Sequence, residues 1–195
     1  MFPHKSHLLL YGLLLAGTPG LNVADAERAT PASAQPGSSG IQPGSSGIQY
    51  VPTARPFPKA RAGEPVLLTL TGTRTERLTL NQLRALPAAQ YASWHPQLQQ
   101  TFTYRGVPLR ELAQRGGFLG RDIRVTADDG FIAIIRADDY QKAPIMVAYE
   151  ADGRDIPILN KGPLLIVFPP DRRFPASRYS SQWAWYVTGI SARTP

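Results

Sequence analysis

The chain has 195 residues, with 21 Lys and Arg against 14 Asp and Glu, a formal net charge of +7 and no cysteine. The missing thiol excludes disulfides, a cysteine nucleophile, a thiolate metal ligand and a lipid attached at cysteine. The basic residues are scattered, without a basic helix or an aromatic RNA-binding signature, so nucleic acid is not the expected partner and a mixed, solvated surface is.

Residues 1–26 read as a secretory signal peptide. Lys5 gives the positive start, Leu8 to Ala16 ("LLLYGLLLA") the apolar segment, and Ala24-Asp25-Ala26 the small-x-small cleavage pattern. The apolar run is shorter than the roughly 20 residues a spanning helix needs. A periplasmic or secreted protein that does not span the membrane after cleavage is therefore expected. Lys5 and Asp25 leave together, so the mature charge stays at +7.

Residues 27–62 read as a flexible linker. "QPGSSGI" occurs at Gln35–Ile41 and again at Gln42–Ile48, and Gly and Ser there bring backbone freedom with little to bury. "YVPTARPFPKARAGEP" follows, Pro-rich and basic, and is expected to be extended and exposed. Residues 63–193 form one domain of ordinary size.

Within that domain "PVLLTLTG" (Pro65 to Gly72) and "TERLTL" predict two strands. Thr79 with Gln82 three residues on is a capping box, Leu80, Leu83 and Leu86 follow at near-helical spacing, and Pro87 stops the run. "AAQYASW" and "QTFTYRG" predict strands around His95-Pro96. "VPLRELAQRGG" predicts a second helix with Pro108 at its start, Leu109, Leu112 and Ala113 inward, and Gly116-Gly117 at its end. Ile123, Val125 and Ala127 alternate on one arm of a hairpin turned by Asp128-Asp129-Gly130. The other arm, Phe131 to Ile135, is apolar on both faces and is expected to be central. "APIMVAYE", the reversal at Asp152-Gly153, a buried central strand Leu164–Phe168 between Gly-Pro and Pro-Pro steps, and an aromatic strand "QWAWYVTGISA" complete the pattern. Strands predominate and long crossover helices are missing, so the expected fold class is α+β, a mixed β-sheet with short helices.

Few residues carry chemistry. His95 is the one histidine beyond the signal peptide. It reads as a surface histidine in the turn before Pro96, or as a ligand contact. Trp94 beside it is either an ordinary core or rim aromatic or the wall of a pocket for a flat ligand. Lys161, Arg172, Arg173 and Arg178 flank the Leu164–Phe168 strand and suit a phosphate or sulfate; the plain alternative is a solvated basic loop. Asp128-Asp129 and Asp138-Asp139 are explained by turn and cap chemistry. The sequence has no Gly-x-Ser-x-Gly elbow, no Gly-rich nucleotide loop after a strand and no cluster of His, Asp and Glu at metal spacing.

The order "LTLNQLRALP" (Leu78–Pro87), "YRGVPLRELAQRGG" (Tyr104–Gly117), the Asp129-Gly130 hairpin, "VAYEADGRDIPILNKGPLLIVFP" (Val147–Pro169) and "WAWYVTGI" (Trp183–Ile190) resembles the molybdopterin-binding domain of the sulfite oxidase type of oxidoreductase. The resemblance covers residues 78–191 and rests on order and spacing. It implies that family's α+β fold and a molybdopterin cofactor ending in a phosphate. It also implies a cysteine ligand to molybdenum within Ala88 to Gly106, where this chain has none; Trp94 and His95 lie in that interval. The expectation is thus an exported, non-catalytic module on that fold, without the cofactor, binding a small anionic ligand or a membrane or periplasmic protein partner. The alternative is a redox enzyme holding molybdopterin through its dithiolene, with His95 in place of the cysteine.

Overall fold

Thr79 starts the first helix as its sequence demands. Its hydroxyl accepts the Gln82 amide proton at 3.3 Å while the Gln82 side chain accepts the Thr79 N–H at 3.0 Å, closing a reciprocal cap. The structure, a computed structural model, describes residues 47–53 and 56–194. The signal peptide and the first "QPGSSGI" copy lie outside the described residues.

Strands β1 (Gln49–Val51), β2 (Val66–Thr71) and β3 (Thr75–Thr79) lead into helix α1 (Leu80–Arg84). Strands β4 (Ala88–His95) and β5 (Gln100–Pro108) form a hairpin, and helix α2 (Leu109–Gly116) follows directly. Next come β6 (Ile123–Ala127), β7 (Ile132–Ile135), helix α3 (Ala137–Lys142), β8 (Met146–Ala151), β9 (Arg154–Asp155) and β10 (Leu165–Val167). Helix α4 (Ala176–Tyr179) and β11 (Val187–Ala192) close the chain.

The strands form two sheets. One has the order β1-β4-β5-β8-β10, with β9 added to β8; the other has the order β3-β2-β11-β6-β7. All pairings in the first are antiparallel, whereas β11 runs parallel to β2 and antiparallel to β6. This is the mixed-sheet α+β fold that the sequence predicts. Helix α2 presents Leu109, Leu112 and Ala113 inward and packs on β5 of one sheet and on β2 and β11 of the other. Gly117 ends it with a left-handed backbone, φ 74°. One apolar cluster runs through both sheets.

Four expectations need correction. Gln49–Val51, placed in the linker, pairs with Gln90–Ala88 of β4, and Ile48 packs on the core. Strand β7 is an edge strand: Ala133 and Ile135 face inward, while Phe131 and Ile132 are exposed. The Leu164–Phe168 segment is buried throughout but ends its ladder. Its free edge is covered by the chain before β11, through Ile166 N–H to Ala184 O (2.8 Å) and Val187 N–H to Leu164 O (3.0 Å). The aromatic strand begins only at Val187, after a 3₁₀ turn at Ser180–Gln182: Ala184 O covers β10, while the N–H groups of Trp183, Ala184 and Tyr186 go to Ser180 O, Gln182 O and Lys161 O.

Candidate functional site

Strand β4 decides what the Trp94-His95 pair can do. Ala89, Tyr91, Ser93 and His95 are buried along one face, and Ala92 and Trp94 are exposed along the other. Neighbours on a strand point to opposite sides of the sheet. His95 is accordingly 0% exposed and Trp94 52%. The surface histidine expected before Pro96 is therefore a buried one, and Trp94 does not share its pocket. The inward row is tied to the β10 segment: the Tyr91 hydroxyl lies 2.9 Å from Pro144 O and 3.0 Å from Val167 O, and Ser93 Oγ donates to Phe168 O at 2.7 Å.

The protonation of His95 follows from its contacts. Nδ1 accepts the Leu98 amide proton at 3.2 Å, so in the neutral ring the proton sits on Nε2. Burial, with a smaller contribution from the Lys161 charge, pushes the imidazole pKa down to about 4. The ring is thus neutral near pH 7, and Nε2 is a buried donor with no partner among the described residues.

Two segments surround the His95 ring. Trp183 meets the His95 ring at a centroid distance of 5.0 Å, and Trp185 lies at 6.4 Å. Lys161, at the end of a 3₁₀ turn over Ile158–Asn160, adopts a left-handed backbone (φ 73°) and places Nζ 4.0 Å from the centre of the Trp185 ring, a cation–π distance. Its carbonyl accepts the Tyr186 N–H at 3.3 Å. Trp185 Nε1 and Gln182 Oε1 are also buried without a partner among the described residues. Beside them runs a groove of about 190 Å³ lined by Gln97, Asp129, Phe131, Ser180, Trp183 and Trp185. The unpartnered set is two donors, the Trp185 indole N–H and the His95 imidazole N–H, and one acceptor, Gln182 Oε1, and buried polar groups call for partners. Trp183, Trp185 and Phe131 give the groove apolar walls and Asp129 stands among them, while the His95 imidazole and the Lys161 ammonium lie behind the tryptophans, so the groove itself suits a small flat or apolar ligand.

It does not suit a soft metal. To ligate through Nε2, His95 would have to move its proton to Nδ1, which then faces the Leu98 N–H, donor against donor. A metal-bound histidine has the reverse arrangement, with its second nitrogen donating to an acceptor. No group of three or more His, Cys, Asp or Glu is placed to hold a metal ion among the described residues.

Nor do the arginines gather as a phosphate site. Arg173 is engaged by Asp171, with Nε–Oδ2 at 2.9 Å and Nη2–Oδ2 at 2.6 Å, and these bonds hold the Asp171 carboxyl below its usual range. The Arg178 guanidinium lies 5.5 Å from the Tyr179 ring centre, and Arg172 is exposed. None of the three lines the groove, and neither does Lys161 or His95; of the expected basic set only Lys161 is near the histidine, through its place over the Trp185 ring and its charge on the imidazole. The residues present therefore do not fit a molybdopterin held by a protein-ligated metal and an arginine-bound phosphate.

The aspartate pairs have local roles. Asp129 Oδ1 accepts the Phe131 N–H at 3.0 Å, and Asp138 pairs with Lys142 at 3.2 Å. The cap expected from Asp138-Asp139 comes from elsewhere: Asp122 Oδ1 accepts the Ala137 N–H at 3.0 Å. Sequence reasoning missed Trp183, Trp185 and Gln182. The signal for them is Trp-x-Trp directly after a segment that cannot keep strand pairing.

No family model matches the chain, and no curated protein matches it in sequence. Among solved structures, the sulfane dehydrogenase SoxCD from Paracoccus pantotrophus is similar in fold, with a TM-score of 0.53 and 15% identity. The similarity covers 66% of this chain and 38% of that one, so this chain spans well under half the length of its structural neighbour. At this identity the likeness is one of fold, and the α+β, mixed-sheet reading agrees with it. No helix among the described residues is long and apolar enough to cross a membrane.

Proposed function

We propose that this is an exported, non-catalytic binding module on a sulfite oxidase-type fold, and that the groove beside His95 takes a small anion. The observation that carries the reading is the 3.2 Å bond from Leu98 N–H to His95 Nδ1. It makes the residue in the interval of the family's metal-ligating cysteine a hydrogen-bond donor rather than a metal ligand. Trp183 and Trp185 supply walls of the groove, and Lys161 supplies a positive charge from behind, its Nζ 4.0 Å from the Trp185 ring centre. The Lys5, Leu8–Ala16 and Ala24-Asp25-Ala26 pattern supports export. Fold likeness to a dehydrogenase does not by itself bring an activity.

The test is to purify the protein from its native periplasm, assay molybdenum and pterin, and titrate the same preparation with sulfate while following tryptophan fluorescence. The expected result is no stoichiometric metal and a saturable response that Lys161→Ala abolishes. One equivalent of molybdenum with redox turnover overturns the reading, as does a fluorescence signal that never saturates.

A further inference from the structure

A second set of buried donors lies away from the His95 groove. Tyr149 on β8 is 2% exposed, and its hydroxyl proton finds no acceptor among the described residues. The Nε of Arg105, on the neighbouring strand β5, is likewise buried and unpartnered. Both residues line one cavity of about 280 Å³, together with Arg84, Glu150 and the chain from Val51 to Thr53. Arg105 stands close enough to the phenol oxygen for its charge and a side-chain hydrogen bond to oppose the rise that burial imposes on the Tyr149 pKa, which leaves the phenol proton and the Arg105 Nε–H without acceptors among the described residues.

The fold creates this cavity from its own irregularity. The β5–β8 ladder shifts register between Arg105 and Gly106. A bulge re-aims the side chains beside it. Arg105 lies across from Glu150 in the ladder, but no ion pair forms between them. Arg84 reaches in from the end of α1, its guanidinium carbon 5.9 Å from the centre of the Tyr149 ring, while pairing outward with Asp155.

We infer that this cavity, bounded by Arg105, Tyr149 and Arg84, is a binding site for the carboxylate of a small molecule. The donors decide the ligand's polarity. A phenol O–H and a guanidinium N–H left unpaired in a cavity need an acceptor, and a planar carboxylate matches the guanidinium fork. Glu150 on the same wall decides its charge. A dianion such as phosphate meets stronger carboxylate repulsion there than a monocarboxylate, whose single charge is matched by Arg105, the arginine that has no ion-pair partner among the described residues; Arg84 is already paired with Asp155. The site is independent of the His95 groove, with which it shares no lining residue.

The probe is sodium acetate, titrated into the full chain and followed by NMR shifts of the Arg105 and Tyr149 resonances, with sodium phosphate as the contrast. Acetate is expected to saturate the shifts, and Tyr149→Phe, which keeps the ring and removes one donor, to weaken binding about tenfold. Arg105→Gln is expected to abolish saturation, and Lys161→Ala to leave it unchanged. Circular dichroism melts of each variant identify any that fails to fold, and Tyr149→Phe serves as the conservative second reading. Non-saturating acetate shifts overturn the inference. So does saturation unaffected by Tyr149→Phe and Arg105→Gln, tighter binding of phosphate than of acetate, or a crystal grown in acetate with only water in the cavity.

Discussion

The imidazole of His95 and the indole of Trp183 meet edge to face, with centroids 5.0 Å apart and planes inclined at 64°. This contact joins the end of β4 to the segment that covers β10, and Phe168 continues it with its ring centre 6.1 Å from that of Trp183. Truncating the histidine removes a buried ring from this stack. His95→Ala is expected to lower stability by about 2–3 kcal/mol. Trp94→Ala, one residue away on the solvent face, should cost under about 1 kcal/mol. Urea unfolding of the two variants checks the contrast, and equal losses would contradict the assigned strand phase.

The same burial makes stability depend on pH. The folded His95 pKa of about 4 lies below the usual 6.5. Between those values the unfolded chain binds a proton that the folded chain does not, so stability falls as pH falls from about 6.5 to about 4. The loss should be on the order of 2 kcal/mol. Melting curves recorded across that window for the native chain and for His95→Gln test it. The variant's profile is expected to be the flatter of the two.

Gly106 sits on β5 directly against the backbone of β8. A Cβ there would lie 2.1 Å from Val147 O and 2.5 Å from Ala148 Cα. These are backbone atoms of β8, so no flexible side-chain end is there to give way. Gly106→Ala is expected to cost more than about 3 kcal/mol, read as a fall in the urea midpoint or as loss of soluble protein.

Gln82 does two jobs. Its Oε1 closes the cap on Thr79, and its Nε2 donates to Pro58 O at 3.1 Å. Thr79→Ala should cost about 1 kcal/mol through the cap alone. Gln82→Ala should in addition free the lead-in, seen as faster tryptic cleavage at Lys59 and Arg61. An unchanged cleavage rate would show that Pro58 is held by other contacts.

Much of the fold can be read from local chemistry, and the site much less so. The Thr79–Gln82 cap, the Gly116-Gly117 stop and the Ile123–Ala127 alternation are each specified by a few adjacent residues, and each is found in place. Strand β7 misleads because Phe131–Ile135 is apolar throughout, so burial on both faces and exposure at an edge look alike in sequence. Trp94 and His95 mislead for another reason. They are neighbours in sequence, and only the phase set by Ala89 and Tyr91 separates their faces. Apart from the Leu98 N–H, the neighbours of His95 are Lys161, Trp183 and Trp185, and nothing local announces that meeting.

Strand β11 lies between β2, its parallel neighbour, and β6, its antiparallel one. Take Val187–Ala192 away and the sheet falls into two separate hairpins, β2–β3 and β6–β7, each marginal alone in water. A polypeptide delivered from its N-terminal side must therefore keep both hairpins waiting, their inner edges unpaired, until its last strand arrives. The smaller sheet is built in an order imposed by time as well as by space, and any delay before β11 lengthens the interval in which those edges can find the wrong partner.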